Sequence, residues 1–487
     1  MKHLKDILKG VSVQEIIGST EVHCREVHFD SRKVRENDLF VAQKGVTVDG
    51  HLFIENAIKS GARIIVCQEI PTTKASSVTY VQVHDSNSAL AVIAANYYEN
   101  PSEKLDLIGV TGTNGKTTIV SLLYDLFKKA DCKVGLLSTV KVMVHNEEHK
   151  STHTTPDSLS INKYLKKMVD QGVSHCFMEV SSHGIDQKRT HGLHFRGGVF
   201  TNLSHDHLDY HATFAAYRDV KKIFFDQLPK TAFALTNLDD KNGMVMLQNT
   251  KAQKVSYALK TMADFKAKVL EKRMSGTLVN IQGVEVWIKL IGAFNVYNIL
   301  AVVAVAELNG LDRMDVLRLI SELESVGGRF QYVVSNTGVV AVVDYAHTPD
   351  ALKNVIETIV DIKSEKEKLI TVVGCGGDRD KLKRPKMAMI ASQLSAQAIF
   401  TSDNPRTEDP QVIIDEMEKG VSSENISKTI SIIDRKQAIK TACKFSAPGD
   451  VVLIAGKGHE DYQEINGERF HFDDLEVVTE CFTQLNK

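Results

Sequence analysis

The stretch Gly109-Val-Thr-Gly-Thr-Asn-Gly-Lys-Thr-Thr118 constrains this chain more than any other. An apolar run from Leu105 to Val110 enters it and a helical pattern from Lys116 to Lys129 leaves it. Strand, glycine turn and helix therefore follow in direct succession, and a helix start presents free N–H groups to an anion. Strict Walker A spacing would put its first glycine at Val110, whereas the available glycines are Gly109 and Gly112, so the loop is a variant. The physically essential half remains: glycines that let N–H groups turn toward phosphate, Lys116 as a point charge, and Thr117 as a hydroxyl for Mg²⁺. A chain built around this loop is expected to use ATP.

With 487 residues the chain exceeds one ordinary core, and three domains are expected, at 1–101, 102–331 and 332–487. The first mixes short β-rich runs (39–42, 62–67, 78–83) with a helical pattern at 88–98, and Glu99-Asn-Pro-Ser102 reads as a linker. In the second, strand candidates at 105–110, 175–180, 198–202 and 232–237 alternate with helices, implying a largely parallel sheet covered on both faces. After Gly327-Gly-Arg-Phe330 the pattern restarts, with apolar strands at 339–344, 369–374, 398–401 and 451–455. The fold class is α/β throughout. Hinges are expected near Pro101 and Phe330.

Charge excludes some partners. The 59 basic residues against 61 acidic leave no excess for nucleic acid. Seven scattered cysteines, none in a Cys-x-x-Cys pair, indicate neither a disulfide framework nor a zinc knuckle. Without a signal-like start or a window of about 20 apolar residues, the expectation is a cytoplasmic, membrane-free protein.

Candidate chemistry gathers at strand ends. Glu179 closes the strand at 175–180 and is placed to ligate Mg²⁺. Thr201-Asn-Leu-Ser-His-Asp-His-Leu-Asp-Tyr-His211 concentrates three histidines and two aspartates. In the last domain four polar loops follow strands: 343–350, 374–380, Asp403-Asn-Pro-Arg406 and Gly456-Lys-Gly-His-Glu460. Open α/β sheets bind ligands at that edge.

Taken together, Gly112-Thr-Asn-Gly-Lys-Thr117, Glu179-Val-Ser-Ser-His183, Asp206-His-Leu-Asp-Tyr-His211, Phe294-Asn-Val-Tyr-Asn298, Gly328-Arg-Phe330, Asp344-Tyr-Ala-His-Thr-Pro349 and Gly456-Lys-Gly-His-Glu460 resemble the ATP-dependent Mur ligases of peptidoglycan synthesis. Asp30-Ser-Arg32, Thr154-Thr-Pro156 and the tetrad Asp403 to Arg406 are similar to the diaminopimelate-adding branch. The resemblance spans nearly the whole chain. It implies a UDP-sugar-binding N-terminal domain, a central P-loop ATPase-like domain and a C-terminal Rossmann-like domain. It also implies a bacterial cytoplasmic monomer that joins meso-diaminopimelate to the D-glutamate of UDP-N-acetylmuramoyl-L-alanyl-D-glutamate through an acyl phosphate.

Residue by residue, the resemblance gives ATP to Gly112, Thr113, Asn114, Gly115, Lys116, Thr117 and Thr118, with Asn295, Arg329, Asp344 and His347 at adenine and ribose. Mg²⁺ falls to Thr117 and Glu179 at one site and to His207 and Lys221 at another, where Lys221 is implied to carry a CO₂-derived carbamate. Lys116, Lys221 and His207 are the implied catalytic groups, and neighbouring Lys222 is the competing register. The UDP-sugar is implied for Ser31, Val46, Thr47, Val48, His153, Thr154, Thr155, Ser181, Gln187 and Arg189, with His153 standing where the family pattern has asparagine.

Diaminopimelate carries a second amino-carboxylate end that lysine lacks, so a selective pocket needs a cation for that carboxylate, and Arg406 fits. A site built for a polar partner can reject analogues lacking it by roughly 10⁴–10⁵. Arg379, Asp403, Asn404, Pro405, Gly456 and Glu460 are implied to complete the pocket, with Glu460 facing the far ammonium. The competing role for Arg406 is a surface salt bridge to Glu408 or Asp409. Alternative activities are an L-lysine-adding ligase of the same type and a folylpolyglutamate synthetase-like ligase.

Overall fold

The computed structural model describes residues 1–45 and 48–487. The sequence-predicted Val46 and Thr47 lie outside the described residues.

Each of the three principal sheets occupies its own stretch of chain. The first has five strands, in the order Val13–Ile17, Thr79–Val83, Ile64–Cys67, Leu39–Val41, Val27–His28. Its last four are parallel, and Val13–Ile17 joins antiparallel. Ile64-Ile-Val-Cys67 is buried along its whole length, as a continuous apolar run in a parallel sheet requires. Helix Ser86–Tyr97 covers this sheet and starts where the Asp85 carboxylate caps the Asn87 N–H.

The central sheet has eleven strands. Its middle is a parallel array that contains the four predicted strands, now Asp106–Thr111, His175–Glu179, Gly197–Phe200 and Phe233–Asn237, together with three that were not predicted, Val134–Leu137, Gln253–Ala258 and Phe265–Arg273. Both edges depart from that expectation. Lys141–Val144 and Glu147–Lys150 extend one edge antiparallel, and Gly276–Ile281 and Val284–Ile288 extend the other. These edge strands are short or broken by polar residues, as in Glu147-Glu-His-Lys150 and Val284-Glu-Val-Trp-Ile288, so no long apolar run marks them. Helices Lys116–Lys129 and Ala293–Leu308 pack on one face, Ser158–Asp170 and Phe214–Asp226 on the other. Ala293–Leu308 is buried along most of its length, and each fully buried Ile, Leu or Val contributes about 1.5–3 kcal/mol.

Six strands form the last sheet, in the order Gln331–Val334, Val340–Asp344, Val451–Ala455, Leu369–Cys375, Gln397–Ser402, Thr429–Ser431. All pairs but the first are parallel, which brings the loops after residues 344, 375, 402 and 455 to one edge. Both predicted hinge regions carry left-handed backbones, at Glu99 and Asn100 (φ 65° and 49°) and at Phe330 (φ 48°).

Arg435, on helix Arg435–Phe445, is fully buried and ties this edge together. Its guanidinium grips Asp474 at 2.8 and 2.7 Å and donates to the Ala455 carbonyl at 3.1 Å, one residue before Gly456. Removing one partner of a buried pair leaves an uncompensated charge. Asp474→Ala should therefore lower unfolding free energy by about 3–5 kcal/mol, read from urea denaturation, whereas a surface pair would cost under about 1 kcal/mol.

Candidate functional site

The glycine loop is pinned by the end of the neighbouring strand. Thr113 N–H donates to the Asn202 carbonyl at 2.8 Å, Asn114 N–H to Asn202 Oδ1 at 3.0 Å, and Thr201 Oγ1 to the Asn114 carbonyl at 2.7 Å. That approach requires glycine at 112: φ is +147° and a Cβ would stand 1.9 Å from Thr201 Oγ1. Gly115, at φ +89°, lets Lys116 start the helix with its first N–H groups facing the cleft. Lys116 Nζ donates to the carbonyls of Gly112 (3.0 Å) and Thr113 (2.7 Å), and burial lowers its pKa.

A cleft of about 700 Å³ opens over this loop between the central and last sheets. It brings together the predicted Thr113 to Thr118, Glu179, His207, Asn295, Arg329, Asp344 and His347, while Gly112 lies just behind the surface. Arg329 Nη2 donates to Thr117 Oγ1 at 3.1 Å, its guanidinium lies 4.4 Å over the Tyr345 ring, and its buried Nε has no partner. Asp344 accepts from Phe330 N–H at 2.7 Å, and burial, partly offset by Arg329, raises its pKa to about 6.

Glu179 and Lys221 test the site for a cation. Glu179 Oε1 accepts the Thr139 N–H at 2.7 Å, but Oε2 is buried with no hydrogen-bond partner, the position of a ligand for Mg²⁺. Lys221 shares the inward stripe of helix Phe214–Asp226 with Tyr217, Phe224 and Phe225, at the i, i+4, i+7, i+8 spacing of a buried face. Its Nζ lies 3.0 Å from the Gly112 carbonyl and 4.8 Å from the Tyr217 ring centroid. Among the described residues no carboxylate is within ion-pair distance, and burial, reinforced by Lys116, drives its pKa well below the usual lysine value. Lys222 pairs instead with Asp226 at 2.7 Å, so of the two lysines it is Lys221 that lies against the glycine loop. An ammonium at 221 does not fit a cation, whereas an anionic derivative of it does. His207 stands at φ +53° with Nε2 3.4 Å from Asp206, and its ring packs edge-on to His183 at 4.9 Å. Burial pushes its pKa to about 3, so the imidazole is neutral and able to donate a lone pair. Among the described residues, no group of three or more His, Cys, Asp or Glu could hold a metal alone.

The predicted sugar-binding residues of the central sheet form one hydrogen-bonded unit beside Glu179. Thr155 Oγ1 donates to the Glu179 carbonyl at 2.8 Å and accepts from Ser181 N–H at 2.9 Å. Arg189 donates to the Thr155 carbonyl (2.7 Å) and to Gln187 Oε1 (2.7 and 3.1 Å), and among the described residues it has no carboxylate partner. Thr139 Oγ1 donates to Thr154 at 3.1 Å, and burial with Arg189 nearby lowers the pKa of His153. Ser31 begins a short turn in the N-terminal sheet and Val48 is exposed; neither lines the cleft.

The tetrad residues gather on the last sheet's edge. Asn404 Nδ2 donates to Glu460 Oε2 at 2.7 Å, and Gly456 (φ +119°) leaves room that a Cβ would fill 2.5 Å from Asp403 Oδ2. Burial, with Asp403 close by, raises the pKa of Glu460. Arg406 takes φ +52° and donates from Nη1 to the Gly377 carbonyl at 2.7 Å. The competing salt bridge is not made: Glu408 is held by Arg384, and no described carboxylate pairs with Arg406. Pro405 abuts Gly377, where a Cβ would meet its carbonyl at 1.9 Å, and Arg379 is exposed at the rim.

Sequence reading missed several lining groups. Asn298 supports Gly115 and donates to Asn295 Oδ1 at 3.0 Å, and Asp350 accepts from Asn114 Nδ2 at 3.2 Å across the cleft. It also missed the hairpin Tyr462–Ile465 and Glu468–His471, whose backbone holds the tetrad through Arg406 N–H to the Glu464 carbonyl at 3.0 Å. Asn466-Gly467, at φ 50° and 83°, is the two-residue turn that signals it.

Three family models match: "Mur ligase family, catalytic domain" at residues 23–98, "Mur ligase middle domain" at 110–306 and "Mur ligase, glutamate ligase domain" at 328–458. A UDP-N-acetylmuramoyl-L-alanyl-D-glutamate--2,6-diaminopimelate ligase of Cytophaga hutchinsonii is 51% identical over 99% of this chain and 100% of its own length. Its counterpart from Bacteroides fragilis is 50% identical over 99% of each. A solved structure of a ligase of the same name, 31% identical, matches the full length of both chains at a TM-score of 0.69. A Mycobacterium tuberculosis folylpolyglutamate synthase, 15% identical, covers 82% of this chain and 94% of its own at 0.61, a likeness of fold alone.

Acid should act on the cleft histidines. Burial, with Lys383 nearby, lowers the pKa of His347 to about 4, and its Nδ1 lies 2.9 Å from the Tyr345 carbonyl. Unfolded histidine takes up a proton near 6.5 and the folded ring only near 4, so stability is lost as pH falls through that window. His347→Gln should flatten the fall in urea midpoint between pH 6.5 and 4; an unchanged slope contradicts the assignment.

Proposed function

Because the chain belongs to the Mur ligase family, we propose that it is an ATP-dependent amide ligase that adds meso-2,6-diaminopimelate to the D-glutamate of UDP-N-acetylmuramoyl-L-alanyl-D-glutamate. The observation that carries the reading is Arg406, a guanidinium with no ion-pair carboxylate among the described residues, set near Glu460 and its partner Asn404 on the last sheet's edge. A lysine substrate would leave that cation without its anion, which disfavours the lysine-adding alternative. Folylpolyglutamate synthases share only the fold.

In this reading the D-glutamyl side-chain carboxylate attacks the γ-phosphorus of ATP, the bond to the β-phosphate oxygen breaks, and ADP leaves. The amine of diaminopimelate then attacks the acyl carbon, phosphate departs and the amine loses its proton. The N–H groups of 113–118 and Lys116 receive the phosphates. Arg329, with its free Nε, and Asn295 hold the nucleotide at the junction of the two sheets. Arg189 supplies the UDP-linked dipeptide with a half-buried cation, and the N-terminal sheet carries the far end of the nucleotide sugar. Thr117, Glu179, His207 and a modified Lys221 would hold Mg²⁺, which when bound offsets charge on the reacting oxygens.

Lys221 suits the modification. A neutral amine attacks CO₂, forming the C–N bond while one C=O π pair moves to oxygen and a proton leaves nitrogen. The product is an anionic carbamate. Closure of the cleft about residues 99–101 and 330 keeps water from the acyl phosphate.

Phosphate release from ATP should require both the nucleotide dipeptide and diaminopimelate; release without the dipeptide would point to a nucleotide switch. Lys221→Ala should reduce activity by roughly 10³ or more and recover part of it with a short added carboxylate, and unchanged activity would refute the role. Arg406→Ala should raise KM for diaminopimelate by about 10² or more while narrowing its preference over lysine.

A further inference from the structure

Beside the amino-acid pocket, and outside the groups assigned to chemistry, lies a buried ion cluster. Arg384 is fully buried although it is the second residue of helix Lys383–Leu394. It grips Glu408 with both nitrogens, Nη2 to Oε1 at 2.8 Å and Nη1 to Oε2 at 2.9 Å, and Nη1 also reaches Glu416 at 2.7 Å. The same guanidinium donates to the Gly376 carbonyl at 3.2 Å. Glu408 Oε1 also accepts the Asp378 N–H at 2.6 Å. Gly377, whose carbonyl receives Arg406, is thus stapled on both sides.

Glu408 stands two residues from Arg406. A carboxylate released at that spacing is a direct competitor for the guanidinium, since fork-on-carboxylate pairing is among the strongest polar contacts available. Arg384 removes the competitor: its hydrogen bond is the first cause holding the Glu408 carboxyl down to about 2. The exposed Lys381, 3.3 Å from Glu408, cannot do this alone, because a solvated ammonium holds a carboxylate only weakly.

We propose that Arg384 is a positioning residue for amino-acid selection: by occupying Glu408 it keeps Arg406 free for the distal carboxylate of the incoming substrate. The proposal rests on diaminopimelate being that substrate. Arg384 itself touches no reacting atom, and its effect is exerted wholly through Glu408 and the loop at 376–378.

The test uses the full chain, comparing wild type with Arg384→Met, Glu408→Gln and the double variant R384M/E408Q. Initial rates are measured with diaminopimelate, ATP and nucleotide dipeptide varied in turn, and with lysine as competitor. R384M should raise KM for diaminopimelate at least about tenfold and leave the other two within about twofold. Adding E408Q, which removes the freed charge, should bring it back to within about threefold of wild type. An R384M that raises all three constants alike or none, or a double variant no better than R384M, overturns the proposal. Should R384M fail to fold, Arg384→Lys retains a buried cation and should show a smaller rise, again reversed by E408Q; a rise that E408Q leaves in place overturns the proposal. Wild-type enzyme that accepts lysine as readily as diaminopimelate would overturn the substrate reading, and the proposal with it. Wild-type selectivity with an unaffected R384M overturns the clamp alone.

Discussion

Two lysines point at one carbonyl oxygen. Lys116 Nζ and Lys221 Nζ each lie 3.0 Å from the oxygen of Gly112, and among the described residues neither has a carboxylate within ion-pair distance. Two ammoniums so placed, out of bulk water, repel strongly and lose their hydration. The arrangement is relieved if one nitrogen is neutral, and Lys221, the more perturbed of the two, is the candidate. We take this conflict as the organising constraint of the site. In the proposed reading Lys116 keeps the cation that phosphates need, Lys221 is the amine converted into an anion, and Glu179 Oε2, which has no partner, is the second anionic group for Mg²⁺.

The fold is arranged to hold that conflict in place. Parallel strands end side by side, so Thr111, Glu179 and Phe200 deliver the phosphate loop, the lone carboxylate and the Asn202 support to one edge. The last sheet repeats the device with the loops after residues 344, 375, 402 and 455. Antiparallel hairpins do the stapling that parallel strands cannot. Hydrogen bonds from 463–466 run along the tetrad, through Gln463 to the Asp403 carbonyl at 2.7 Å and Asn466 N–H to the Arg406 carbonyl at 2.7 Å. On the proposed reading, specificity for a second carboxylate depends on these backbone contacts and on a buried arginine well outside the reacting atoms.

Much of this was legible in the sequence wherever one physical signal dominated. Helix Lys116–Lys129 and strand Val451–Ala455 fall where apolar pattern and glycine placement put them. Lys221 was not legible in this way: a lysine on a helix reads as solvated, only the family resemblance gave it a role, and its stripe with Tyr217, Phe224 and Phe225 accounts for the burial that the structure shows. The edge strands were opaque because they are short or broken by polar residues, as in Glu147-Glu-His-Lys150, and edge strands need only one apolar face. Contacts such as Asn114 with Asp350 join residues 236 apart and have no local signature. Arg384 sits in the basic run Lys381-Leu-Lys-Arg-Pro-Lys386, and its complete burial is what distinguishes it from the neighbouring charges.

Uptake of CO₂ by the Lys221 amine is open to direct observation. Enzyme equilibrated with ¹³C-bicarbonate and examined by ¹³C NMR should show a protein-bound carbamate carbonyl resonance that is lost in Lys221→Ala and retained in Lys222→Ala. A wild-type spectrum without that resonance, or one that persists in Lys221→Ala, would contradict the account.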